Sequence, residues 1–119
     1  TDAIMEAMPY DLEERTKKFA GDVRVFVRML PRTAGNENDV RQLIRASGSV
    51  GANYIEANEA LGKKDFLMHI RICRKEAKEC GYWLDLVDVP DGQKQTRDRL
   101  KQESTELMKI FAAILKKSE

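Results

Sequence analysis

A single histidine, two cysteines and three prolines in 119 residues leave little of the chemistry that needs clustered ligands or nucleophiles. The cysteines, Cys73 and Cys80, stand seven positions apart. On a helix that spacing gives one face but ~10.5 Å of rise. A disulfide needs Cα atoms within about 7 Å, so the two cannot bridge, and one C-x6-C without a second pair is no zinc spacing. Both are expected to be small buried core residues. No apolar run approaches the ~20 residues that span a bilayer. The amino terminus also lacks a basic segment followed by a hydrophobic stretch, so a cytoplasmic protein without membrane contact is expected. An excess of one charge is missing too. With 21 lysines and arginines against 20 aspartates and glutamates, the net charge is +1, and any affinity for nucleic acid has to come from a local patch.

What is present is helical periodicity. Breakers leave four long segments, separated by "LPRTAGNEN" (Leu30 to Asn38), "LGKKD" (Leu61 to Asp65) and "VPDGQ" (Val89 to Gln93), with Pro9 ahead of the first. Strands find no room. Within the segments apolar residues recur at alternating steps of three and four, the pattern of a helix packed along its length. The third segment gives Phe66, Ile70, Cys73, Ala77, Cys80, Leu84 and Val87. The second gives Val40, Leu43, Ser47, Val50, Tyr54, Ala57 and Leu61. The first gives Leu12, Thr16, Phe19, Val23, Phe26 and Leu30, and the fourth Leu100, Ser104, Leu107, Phe111 and Ile114. Asp11, Asn36 or Asn38, Asp65 and Asp91 can each cap a first turn. The expectation is one all-α domain over residues 1–119, an antiparallel up-down-up-down four-helix bundle with helices near 11–30, 37–60, 65–88 and 92–117.

The second segment contains "RASGSVGANYIEA", Arg45 to Ala57, where helix-weakening residues crowd together. An interior glycine costs ~1 kcal/mol relative to alanine, so small side chains there must bring some gain. At 100° per residue, Ser47, Val50, Gly51, Tyr54 and Asn58 face the core, whereas Arg45, Ser49, Ala52 and Glu56 face away, with Gly48 and Asn53 on the flanks. Small residues on both sides suggest a close helix contact within the bundle and a second body outside it. Arg45, Gly48, Ser49, Ala52, Asn53 and Glu56 are therefore the candidate contact surface of a ring-like homo-oligomer.

Catalytic constellations are sparse. Glu56, Glu59, Glu76 and Glu79 suit a carboxylate-bridged metal bundle, but that architecture wants a Glu-x-x-His from each of two helices. Phe66 stands three residues before His69, the sole histidine. Glu56, Glu76 and Glu79 are better read as partners of Arg45 or other arginines. Neither "GSVG" nor "LGKKD" matches a phosphate loop between a strand and a helix. No cofactor, metal ligand or catalytic residue is assigned. Tyr54, Tyr82 and Trp83 could stack on bases, although aromatic residues at helical spacing usually fill a core or interface.

"QLIRASGSVGANYIEANEALGKKDF" followed by "ICRKEAKECGYWLDLV" resembles the four-helix-bundle family of proteins encoded in intervening sequences of bacterial 23S ribosomal RNA genes. The resemblance spans Asp11 to Leu115. It is most specific in R-x-S-x-S-x-x-x-N-x-x-E, here Arg45, Ser47, Ser49, Asn53 and Glu56. Lys64-Asp65-Phe66 and the group of Glu76, Glu79 and Trp83 match as well, while Ala57-Asn58 stand where many members read Glu-Gly. The resemblance implies a small cytoplasmic bundle that self-associates, often as a pentamer, and that interacts with RNA or DNA.

Charge distribution supplies a location. Residues 1–60 hold 8 lysines and arginines against 10 aspartates and glutamates, a net −2, whereas residues 61–119 hold 13 against 10, a net +3. Lys63, Lys64, Arg71, Arg74, Lys75 and Lys78 cluster in that second half, with Arg71, Lys75 and Lys78 on one stripe opposite Cys73. The expected function is a non-catalytic self-associating module that binds RNA or DNA through this surface. The alternative is a small carboxylate-dependent metal enzyme.

Overall fold

The computed structural model describes residues 2–118, with side chains from residue 12 onward. Four helices carry the chain: α1 (Asp2–Val27), α2 (Ala34–Asn58), α3 (Lys63–Leu86) and α4 (Lys94–Lys117), the last preceded by a single 3₁₀ turn at Asp91–Gln93. Among the described residues there is no strand. The helices form a body of 44 × 25 × 19 Å, in which α2 packs most extensively on α3, followed by α3 on α4 and α1 on α2, with a smaller contact between α1 and α4.

The apolar stripes meet in one core. Phe19, Val23 and Phe26 of α1, Leu43, Val50 and Tyr54 of α2, Ile70, Cys73 and Leu84 of α3, and Leu107 and Phe111 of α4 are all buried. The Tyr54 and Phe111 rings lie tilted at 5.9 Å. Three hydroxyl residues share the stripes, Thr16, Ser47 and Ser104, and each is buried. They are accommodated because each hydroxyl donates to a carbonyl of its own helix: Thr16 Oγ1 to Leu12 O at 2.7 Å, Ser47 Oγ to Ile44 O at 3.1 Å and Ser104 Oγ to Lys101 O at 2.8 Å. Small residues then let helices close up. A Cβ at Gly51 would stand 2.9 Å from Thr16 Oγ1 and 3.3 Å from Thr16 Cβ, so the α1–α2 approach requires glycine at this position.

Helix ends depart from the sequence expectation. α1 begins at Asp2 and so takes in Pro9 and Asp11; the capping expected of the Asp11 side chain lies outside the described side chains. A helix can continue through a proline when it gives up one N–H bond. The α2 cap is Thr33, not Asn36 or Asn38. Thr33 is extended (φ −104°, ψ 164°) and its Oγ1 accepts from the Asn36 N–H at 3.1 Å. Asn36 has a different task. Its side chain donates to Pro31 O and Asp88 O and accepts from the Asp88 N–H at 2.9 Å, which ties the first loop to the end of α3. Gly62 precedes α3 without a side-chain bond, leaving Asp65 in the first turn, where a carboxylate favours the helix dipole. Asp91 opens the 3₁₀ turn, and α4 starts at Lys94. Leu61, placed on the core stripe by its spacing, is fully exposed because α2 ends at Asn58 and the periodicity ends with it. Asn58 is exposed as well, and its amide donates to Glu13 on α1 at 3.0 Å.

Candidate nucleic-acid interface

Helix α3 separates charge by face. With Cys73, Ala77, Cys80 and Leu84 turned into the core, the 100° step per residue puts Lys63, Lys64, Arg71, Arg74, Lys75 and Lys78 within an arc of ~120° on one flank and the outer surface. All six are exposed, and none makes an ion pair with a described residue. Sequence inspection grouped three of them on one stripe. The angular projection of the whole helix adds Lys63, Lys64 and Arg74, a signal already present in the residue numbers.

The opposite flank of α3 carries Glu76 and Glu79, which face α2, while Asp85 lies within the basic arc and pairs with Lys101 of α4. Arg45 spreads over two of them, Nη1 to Glu76 Oε2 at 2.8 Å and Nη2 to Glu79 Oε1 at 2.5 Å. The Glu76 side chain is only 6% exposed, so the pair neutralises a charge that would otherwise be stranded. Glu79 also accepts from the Trp83 indole at 3.0 Å. Burial by itself pushes the Glu79 carboxyl up, but the bonds from Trp83 and Arg45 outweigh it and hold the group below the ordinary carboxylate range. Arg45 is raised in turn, chiefly by its bond to Glu79 and despite some desolvation. Next along the seam, Asn53 donates to Ser49 O and Oγ, both at 3.0 Å, which leaves its Oδ1 for His69 Nδ1 at 3.1 Å. The Asn53 orientation thereby makes Nδ1 of His69 the donor. His69 Nε2 lies 3.5 Å from Asp65.

These contacts divide the surface proposed from sequence for self-contact. Arg45, Ser49 and Asn53 are tied into the α2–α3 seam through their own side chains or neighbours, with Ser49 and Asn53 half-buried and Arg45 exposed. Gly48 is half-buried near Arg24 of α1; Ala52 and Glu56 are exposed, and Glu56 makes no ion pair with a described residue. Ile55, 52% exposed, joins Gly48 and Ala52 on the outer face of α2. Its position three residues after Ala52 was a signal that the small-residue pattern drew attention away from.

The remaining chemical groups are quiet. Cys73 and Cys80 are free and buried, and burial pushes each thiol up to about 12. Cys73 Sγ donates to Val50 O at 3.3 Å. Among the described residues no three histidine, cysteine or acidic side chains converge as a metal ion would require, and no helix is long and apolar enough to cross a membrane. Of the aromatic residues, Tyr54 is buried, Trp83 is half-buried, and Tyr82 is 58% exposed.

Over residues 10–113 the chain matches the model of the 23S rRNA-intervening sequence proteins. It is also similar to a crystal structure of a protein of unknown function from the S23 ribosomal protein family of Bacteroides thetaiotaomicron. The two share 28% identity with a TM-score of 0.75, over 91% of this chain and 97% of that one. No curated protein matches it. A family model that runs along most of the chain, a relative superposing over nearly its whole length, and the four helices with their Arg45-centred seam lead to one assignment: the chain belongs to the 23S rRNA-intervening sequence protein family.

Proposed function

We propose that this protein is a non-catalytic, self-associating bundle that binds RNA or DNA through the phosphate backbone, using the outer face of α3. The observation that carries the proposal is the set of six exposed cations on one ~120° arc of α3, none of them paired with a described acid. A charged face is ordinary on a soluble helix. Here the six cations share their face with one acid, Asp85, which is taken up by Lys101 of α4, while Glu76 and Glu79 of the same helix are turned to α2, so the field of the face is kept for a polyanion.

Up-down-up-down topology is part of the proposal. The pairs Arg45 with Glu76 and Asn53 with His69 between α2 and α3, and Asn36 with Asp88 just past the end of α3, run in opposite directions along the chain, which supports antiparallel packing. Self-association is placed on Gly48, Ala52 and Ile55, where an exposed apolar side chain stands beside two small residues. Closure into a ring satisfies every head-to-tail contact and repeats the α3 face around the assembly, so that weak phosphate contacts act together.

Anisotropy titrations with a structured RNA test the binding. If about six phosphates are engaged, affinity should fall roughly a thousandfold between ~50 mM and ~200 mM salt. Phosphate contacts carry little sequence information, so unrelated sequences should bind alike. An Arg71→Glu, Lys75→Glu, Lys78→Glu variant that keeps the parent's assembled mass should bind weakly with a shallower salt slope. Equal binding by both proteins refutes the assignment of this face. Light scattering checks assembly, since a mass of 13.6 kDa for the unmutated protein would make it a monomer.

A further inference from the structure

Tyr82 continues the basic face of α3. It stands four residues after Lys78 and seven after Lys75, inside the same ~120° arc, one turn further along the axis. The residue is 58% exposed. The ring is nevertheless held: it meets Trp83 at 5.0 Å and 78°, and the Trp83 indole is fixed by Glu79, itself bonded to Arg45. A perpendicular contact covers at most one face of the tyrosine.

Tyr82 also lines an open groove between α3 and α4 together with Lys75, Lys78, Asp85, Lys101 and Met108. Lys101 is engaged by Asp85 at 2.6 Å. Lys75 and Lys78 have no acidic partner among the described residues, so the groove presents two uncommitted ammonium groups beside an aromatic face. Those are the two elements of a site for single-stranded nucleic acid, cations along the backbone and a ring on which a base stacks.

We propose that Tyr82 is a stacking platform for an unpaired base, with Lys75 and Lys78 holding the adjoining phosphates, so that the protein prefers single-stranded segments to duplex. The proposal rests on the basic α3 face being the nucleic-acid surface. A duplex keeps its bases stacked on one another and offers Tyr82 no ring, whereas a loop or free strand can turn a base out. Stacking uses the ring and not the hydroxyl, so phenylalanine should serve as well. The contacts are phosphate and base face, and RNA and DNA strands both supply them.

The test compares labelled single strands of RNA and of DNA with a duplex of the same sequence, at one salt concentration, against the unmutated protein, Tyr82→Phe and Tyr82→Ala. Removing a stacked base contact is expected to weaken single-strand binding ~5- to 100-fold in Tyr82→Ala. Duplex binding should change less than about twofold and Tyr82→Phe should behave as the parent. Light scattering confirms that each variant keeps its assembled mass. Trp83 is the sole tryptophan and touches Tyr82, so its emission should change on adding the single strand and not the duplex. Equal loss on strand and duplex, or no loss on the strand, overturns the platform while leaving the basic face standing. Failure of the unmutated protein to bind any of the three overturns both.

Discussion

Replacing Gly51 by alanine should destabilise the protein, although alanine is the better helix former. The gain from propensity is ~1 kcal/mol for an interior helical glycine. Against it stands the new methyl, 2.9 Å from Thr16 Oγ1 and 3.3 Å from Thr16 Cβ. Thr16 cannot readily yield. It is 1% exposed, its hydroxyl is committed to Leu12 O and Glu13 O, and a β-branched side chain on a helix has few rotamers to choose from. Relief therefore needs α1 and α2 to move apart, an overpacking strain of ~1 to 3 kcal/mol. The balance is a net loss of about 1 kcal/mol, or a fall in Tm of about 4 °C for a domain of this size. Gly21 supplies the control, since it is exposed on α1 and its Cβ would meet nothing within 4 Å. Gly21→Ala should raise Tm by about the same amount, because only the propensity term remains. Thermal and urea unfolding followed by circular dichroism measure both. In a Thr16→Ala background the penalty at Gly51 should shrink, a coupling of ~0.5 to 3 kcal/mol for residues in contact. A Gly51→Ala protein as stabilised as Gly21→Ala would refute the close-approach explanation.

Asn36→Ala should cost ~2 to 4 kcal/mol, because it leaves the Pro31 and Asp88 backbone groups without their bonds; Asn36→Asp should be no better, since a carboxylate cannot donate to two carbonyls, and urea midpoints decide. Leu84→Ala, at a fully buried position, should lose ~2 to 5 kcal/mol; unchanged stability would remove Leu84 from the core. Glu79 gives a pH signature. Its folded pKa lies below the ordinary 4.5, so its contribution is complete above that value and is lost as pH falls through the folded one. Arg45→Met should flatten the loss of stability below about pH 4.5, and parallel curves for the two proteins would contradict the ion-pair account. Cys73 and Cys80, with thiols pushed up to about 12, should resist alkylation in the folded protein and react on unfolding; rapid labelling of the native state would contradict their burial.

The number of helices and the buried stripe of each followed from the sequence, because steps of three and four are a local property of the chain: Ile70, Cys73, Ala77, Cys80 and Leu84 are buried whatever lies against them. The cysteines' separation along α3 follows in the same way. Periodicity says which face is apolar but not which neighbour packs on either flank, and that was settled only by the tertiary structure. Gly51 is required by Thr16, which sits on another helix. Asn36 looked like a cap and instead bridges to Asp88, 52 residues on. Leu61 fitted the stripe, yet the helix had already ended. For the charges the division has the same physical cause. The cations and acids of α3 are interspersed along the chain, and their meaning depends on what faces them: α2 brings Arg45 to Glu76 and Glu79, while no described carboxylate reaches Lys75, Lys78 or the rest of the opposite arc.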